Sequence, residues 1–208
     1  MDVLKHIYNL NEWFEKAYKI NGSFAIIFMT SANPHNPFIR KRILKLHFRA
    51  EHLGRKKTEG WKERDIEKPF YEIHKQLIKE FAPQLSENEI IFLARETRGQ
   101  RQDDIQISTN EYINTGSISY KPDHPSNTCD PYTGNWTERL LYPIQLKELV
   151  QSKGFKGSYT NSFYCYSKHK KLNLVKFLLK IFIKIIGQTN LLLSPSYTIT
   201  ALKSKIFI

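Results

Sequence analysis

The chain has 208 residues, 40% of them hydrophobic, and a chain of this length can bury one sizeable core. This composition excludes a wholly disordered protein. Thirty-two Lys and Arg against twenty Asp and Glu give a formal net charge of +12, which favours encounters with polyanions and anionic membrane surfaces but identifies no chemistry. Two cysteines exclude a disulfide framework, and the first residues do not follow the pattern of a secretory signal. We therefore expect a cytoplasmic protein.

A helix, a turn and a strand are predicted at the start of the chain. Apolar residues recur at helical spacing over Leu10–Ile20, and Asn21-Gly22 is typical of a helix end. Ser23–Thr30 is a continuous apolar run of strand length. Such a run predicts a central strand, covered on both faces, in a mostly parallel sheet. Residues 31–37 then form a polar turn at the edge where open α/β folds bind ligands.

The middle of the chain, residues 38–135, is predicted to form a helical and loop-rich insertion. A capping-box pattern, Ser86 followed by Glu89, marks one helix start. The predicted helices cover Ile39–Phe48, Ile66–Phe81, Ser86–Arg98 and a stretch after Asp103, with a loop over 121–136.

The end of the chain repeats an alternation of helix and strand. We predict a short helix over Tyr142–Lys153, an extended segment from Phe155, a helix over Leu172–Ile186 and a strand over Tyr197–Ala201.

Several short sequences within this order match a known pattern. Val3–Ile7 reads Val-Leu-Lys-His-Ile, the strand Phe24–Ser31 is followed by Asn33-Pro34, and Leu146–Val150 is followed by Gly154-Phe155. Together with Leu193–Tyr197 and Lys203 near the end, they resemble, in this order, the stretch after the fourth strand, the fifth strand, the helix before the sixth strand and the last strand of class I S-adenosylmethionine-dependent methyltransferases. The resemblance covers the two ends of the chain and skips most of its middle.

The resemblance implies an α/β fold, Rossmann-like and three-layered, that is incomplete at its amino terminus. Residues 1–208 would form a single partial methyltransferase domain, and the insertion at 38–135 would act as a lid. The Gly-rich turn and the acidic residue that hold the cofactor in this family have no counterpart in the sequence, and Lys5 stands where the family often has Glu. The S-adenosyl-L-methionine site is therefore expected to be incomplete in this chain.

The resemblance also assigns the candidate site residues near the amino terminus. Asp2, Val3 and His6 would contact the cofactor. Asn33 and Asn36 would contact the acceptor substrate, although turns favour Asn in any case. His35 would act as a general base because the pKa of histidine lies near neutrality.

Two polar loops of the insertion supply further candidates. His52 and Arg55 are predicted to bind an anionic acceptor, the alternative being a solvated charged connection. His124 belongs to a polar loop expected to fold over the substrate. Cys129 lies in the same loop, and Cys165 and His169 follow later, but their spacing is not that of a zinc finger or ribbon, so no metal is expected.

The predicted function is methyl transfer to a small-molecule or lipid-like acceptor. One alternative is a non-catalytic remnant or split subunit that needs a partner chain or a homo-oligomer. Another is a basic module that binds a membrane surface or nucleic acid, although no nucleic-acid motif is present and nucleic acid is not the expected partner. Leu172–Ile186 is too short to span a bilayer. It could lie on a membrane surface, making the protein peripheral, or pack against protein.

Overall fold

The computed structural model describes residues 4–54, 68–164, 170–186 and 191–204. The chain divides into two compact units, Met1–Arg42 with Leu140–Ile208, and Ile43–Arg139. The first holds all three strands in the described part of the chain, and the second is helical. The division falls within a few residues of the predicted insertion at 38–135, whose role as a lid stays a prediction.

The first unit begins with a short 3-10 helix, Leu4–His6. By the resemblance, Val3–Ile7 is a stretch that follows a strand, and its described residues begin in this 3-10 helix. Helix α1 (Leu10–Lys19) follows as predicted. Asn9 caps it by accepting a hydrogen bond from the Glu12 amide, which satisfies one of the free N–H groups at a helix start.

The remaining elements of the first unit form a small sheet with helices. The strands are β1 (Phe24–Thr30), β2 (Lys156–Asn161) and β3 (Tyr197–Lys203). The helices are α2 (Pro37–Phe48), within which the two units divide, α6 (Pro143–Ser152) and α7 (Lys170–Ile186).

The sheet has the order β1-β3-β2, and both pairings are antiparallel. The prediction of a central strand in a mostly parallel sheet was wrong for β1, since this strand lies at an edge of the described sheet. One face of β1 is also exposed to solvent, since its side chains Ile27 and Met29 are 66% and 47% exposed. The described sheet is thus covered on one face, where three layers were expected.

The covered face of the sheet packs against α1 and α6. Phe14 of α1 is fully buried and meets Phe28 of β1 and Phe155 edge to face, with ring centroids 6.1 and 6.2 Å apart. On β3 the buried Tyr197 hydroxyl donates to the Leu141 carbonyl at 2.6 Å. The aromatic residues carry most of this core because each buries a large area.

The second unit contains three further helices, α3 (Phe70–Phe81), α4 (Glu87–Glu96) and α5 (Gln102–Thr115). They pack around a core that includes Ile73, Leu77 and Leu93. The predicted capping box is confirmed: Ser86 accepts from the Glu89 amide, and the Glu89 carboxylate accepts from the Ser86 amide at 2.8 Å. A π-helical turn, Arg49–Leu53, extends α2.

Candidate functional site

The turn after β1 is held in place by the buried side chain of Asn33. Its Nδ2 donates to the carbonyls of Leu191 and Ser194, at 2.8 Å each. Its Oδ1 accepts from the His35 amide at 3.0 Å. The amide group of Asn33 is therefore occupied by internal hydrogen bonds, and its role is to position the turn.

Asn36 plays a similar part at the start of α2. Its Oδ1 accepts from the amides of Phe38 and Ile39, at 3.0 and 3.1 Å, and so caps the helix. Its Nδ2 donates to the Ser194 carbonyl at 3.0 Å. Asn36, like Asn33, is thus buried and hydrogen-bonded within the turn, and the contact of either with a substrate stays a prediction.

His35 is the exposed side chain between these two buried asparagines. Its ring meets Tyr142 edge to face, with centroids 5.6 Å apart. Partial burial lowers the pKa of His35 below its ordinary value of 6.5. The imidazole is accordingly neutral at pH 7, which is the form that accepts a proton. A general base at His35 is chemically feasible for an exposed, neutral imidazole, and it stays a prediction.

The 3-10 helix brings a lysine to the same end of β1. Lys5 is 7% exposed, and its Nζ donates to Ser31 Oγ at 3.4 Å. His6, the next residue, is exposed and stays a predicted cofactor contact. Asp2 and Val3, the other two, lie outside the described residues.

In the second unit, His52 lies among aromatic rings. It is exposed, and its ring centroid is 5.1 Å from that of Phe48 and 5.9 Å from that of Tyr71. This environment is that of a surface aromatic cluster, and the predicted anion contact is untested. Arg55, its predicted partner, lies outside the described residues.

His124 belongs to a chain of polar contacts that the sequence did not reveal. Its Nδ1 lies 2.8 Å from Ser126 Oγ, and Ser126 Oγ lies 3.0 Å from Nδ1 of the buried His47. His47 Nε2 is 3.2 Å from the Glu138 carbonyl, which can only accept. His47 therefore carries its proton on Nε2, and its Nδ1 is an acceptor.

This arrangement gives the single hydroxyl proton of Ser126 two imidazole acceptors. Burial lowers the pKa of His47 to about 4, so its ring is neutral at pH 7. The residue that orients His47, Glu138, has a positive φ of 52°, which is uncommon outside glycine. The two imidazoles, the hydroxyl and the Glu138 carbonyl form one connected group of polar contacts. Sequence spacing could not have found it, because His47 and Ser126 are 79 positions apart.

A buried carboxylate lies in the same unit. Glu51, in the π-helical turn, is 2% exposed, and its Oε2 accepts from Thr128 Oγ1 at 2.5 Å and lies 3.5 Å from Arg98 Nε. Such a pair is costly to break because a lone buried charge would remain. π-helical turns are frequent at functional sites, yet here the turn holds a structural ion pair.

The polar loop after α5 is held by Arg139. Its Nε donates to Asp123 at 2.8 Å, and its guanidinium stacks 4.3 Å from the Trp136 ring. Cys129 is fully buried, and burial raises the pKa of its thiol, which makes it unreactive. Cys165 and His169 lie outside the described residues. Within the described ranges, no group of three or more His, Cys, Asp or Glu is placed to hold a metal ion.

A cavity of about 500 Å³ lies between α3 and α4. Its lining includes Lys68, Lys75 and Lys79, but also Glu72 and Glu87. Lys75 Nζ is 3.9 and 3.4 Å from these two carboxylates. The mixed charge does not favour an anionic ligand.

With this geometry established, the chain was compared with known proteins. No family model, no curated protein and no solved structure matches it. The family resemblance therefore rests on the short sequence matches alone. No helix in the described ranges is long and apolar enough to cross a membrane.

Proposed function

We propose that this chain forms the acceptor-side part of a class I S-adenosylmethionine-dependent methyltransferase. The observation that carries the proposal is the sheet order β1-β3-β2 with two antiparallel pairings. By the resemblance, these strands correspond to the fifth, last and sixth strands of the family. Mixed sheets of doubly wound proteins commonly carry an antiparallel strand toward one edge.

The open side of β1 supports the same assignment. In the described part of the chain, β1 has a hydrogen-bonded neighbour on one side only, and Ile27 and Met29 are exposed. A further strand would pair with the open edge of β1, and a helix layer would bury Ile27 and Met29. Another polypeptide segment or a partner chain would supply them. We therefore include in this proposal a Rossmann-like fold with three layers, of which the described sheet would be one part.

The turn after β1 is the acceptor side of the proposed site. His35 is exposed and neutral, and it is held between two buried asparagines that fix the turn. A neutral imidazole can take the proton of an acceptor hydroxyl as the methyl group is transferred. Methyl transfer from a sulfonium depends mainly on positioning, so His35 would contribute less than the alignment of the two substrates.

The first test is calorimetric titration of the chain with S-adenosylmethionine and with S-adenosylhomocysteine. Micromolar affinity, about −8 kcal/mol, is expected if this chain completes a cofactor site as an oligomer. His6→Ala should weaken that binding, whereas Ile107→Ala, an exposed apolar position on α5, should not.

The second candidate is a subunit that works only with a partner chain. It is favoured by the position of β1 at an edge of the described sheet and by the exposed Ile27 and Met29, which a partner chain would cover. If the titration shows no heat of binding at millimolar cofactor, this result would support the partner-dependent subunit and would contradict methyl transfer by this chain alone. Cofactor binding by the isolated chain would exclude it.

A further inference from the structure

Helix α7 exposes an unusual set of large apolar side chains. Seven of them are between 41% and 76% exposed: Leu174, Val175, Phe177, Leu178, Ile181, Phe182 and Ile185. Exposed apolar side chains are ordinary when they occur singly. A contiguous set of this size on one helix is a feature of surfaces that contact a partner.

The exposed residues lie on one face of the helix. At 3.6 residues per turn, they occupy a continuous arc of about 160° that contains no polar residue between Asn173 and Ile185, while Lys170 and Lys171 of the first turn fall within its limits by helical spacing. The opposite face is the one that packs on protein: Ile183 is 2% exposed, and Asn173 and Lys180 are half-buried. The outward face of α7 is thus more apolar than its inward face, the reverse of a helix adapted to water.

Positive charge borders this apolar face. Lys184 adjoins the arc, Lys180 and Lys176 lie progressively further from it toward the buried face, and α7 contains no acidic residue. Lys180 Nζ also lies 5.7 Å from the ring of Phe163, which is itself 37% exposed. Lysine side chains beside an apolar helix face extend their ammonium groups toward the level of lipid headgroups.

We propose that α7 lies in the surface of an anionic bilayer, with its exposed apolar arc among the acyl chains and the exposed Lys184 at the headgroups. This binding does not depend on methyl transfer. The charge selects the lipid surface over a second copy of the chain, because each copy would bring a net charge of +12 and a helix without acidic residues to the other. The helix is also too short to cross the bilayer.

Flotation of the full chain with vesicles tests the proposal. We expect the protein to float with phosphatidylcholine vesicles containing phosphatidylglycerol, and to bind pure phosphatidylcholine vesicles at least about tenfold more weakly, since each lysine near an anionic surface strengthens binding. The double variant Leu178→Asp/Phe182→Asp should bind the anionic vesicles about a hundredfold more weakly, because it places two charges in the apolar arc.

The control is Ile107→Asp, which makes the same kind of change at an apolar side chain that is 66% exposed on α5. It should float like the parent chain. All variants should give the circular dichroism spectrum of the parent, because the replaced side chains are exposed.

Three results would overturn the proposal. The first is a parent chain that floats with neither vesicle, and the second is a double variant that floats as well as the parent. The third is self-association in sedimentation experiments that the double variant abolishes, without vesicle binding by the parent; this result would identify a second copy of the chain as the occupant.

Discussion

The buried histidine of α3, His74, makes the stability of this protein depend on pH. It is fully buried, and its Nδ1 lies 2.9 Å from Thr97 Oγ1. The Thr97 hydroxyl donates to the Leu93 carbonyl, so its oxygen must accept from His74 Nδ1–H. Nε2 is then a buried acceptor with no hydrogen-bond partner among the described residues. Protonation would place a cation there, near Arg98, with nothing to receive the new N–H group.

The size of the effect follows from the two pKa values. Burial, and secondarily Arg98, lower the pKa of His74 from 6.5 to about 3. As pH falls below 6.5, the unfolded chain binds a proton that the folded chain excludes, so stability is lost between pH 6.5 and about 3. Integrated from pH 7 to pH 5, the free energy of unfolding should fall by about 2 kcal/mol for this one residue. His47, with a pKa of about 4, adds a loss of the same sign.

The assay is urea unfolding at pH 7, 6 and 5, followed by circular dichroism and tryptophan fluorescence. His74→Phe should remove about 2 kcal/mol of the loss between pH 7 and pH 5, because no proton can bind at that position. Its cost at pH 7 should be small, since the Thr97 hydroxyl keeps its bond to Leu93.

Thr97→Val is the matched control. It leaves the His74 Nδ1–H group without an acceptor, so it should destabilise the protein by about 1 to 3 kcal/mol at every pH while retaining the pH dependence. If His74→Phe kept the full pH dependence of the parent, the reasoning about a neutral buried imidazole would be refuted.

Two further predictions concern the first unit. A Cβ at Gly154 would lie 2.7 Å from the Tyr18 ring at a φ of +91°, whereas a Cβ at Gly22 meets nothing within 4 Å at a φ of +98°. Gly154→Ala should therefore lower the melting temperature much more than Gly22→Ala does, because Gly22→Ala carries only the backbone cost of about 1 kcal/mol. Equal changes in melting temperature would contradict the packing of Gly154 against Tyr18. Asn33→Asp replaces a double donor to the carbonyls of Leu191 and Ser194 by a buried negative charge, so thermal unfolding should show a loss of about 3 kcal/mol, and a neutral result would place this side chain in solvent.

Much of the local structure could be predicted from the sequence. Helix α1 follows from apolar spacing and a terminal Asn-Gly, and the start of α4 follows from Ser86 and Glu89. These signals are complete within one or two helical turns, so the residues that cause them are close together in the chain.

The candidate site was predictable only in part. The sequence indicated a polar turn after β1, and the structure shows such a turn with His35 exposed in it. It could not indicate that Asn33 and Asn36 are buried and bonded to residues near position 194, about 160 positions away. Nor could it show that His47 and His124 share one serine hydroxyl.

The sequence by itself determined the helices, the strand segments and the sharp turns, because those depend on periodicity and on neighbouring residues. The tertiary structure alone decided that β1 lies at an edge of the described sheet, since its apolar run fits a central strand equally well and its partner, β3, comes more than 160 residues later. The tertiary structure also decided which buried polar groups form hydrogen bonds with each other. A hydrogen bond between distant residues leaves no periodic trace in a single sequence, because only the fold brings its donor and acceptor together.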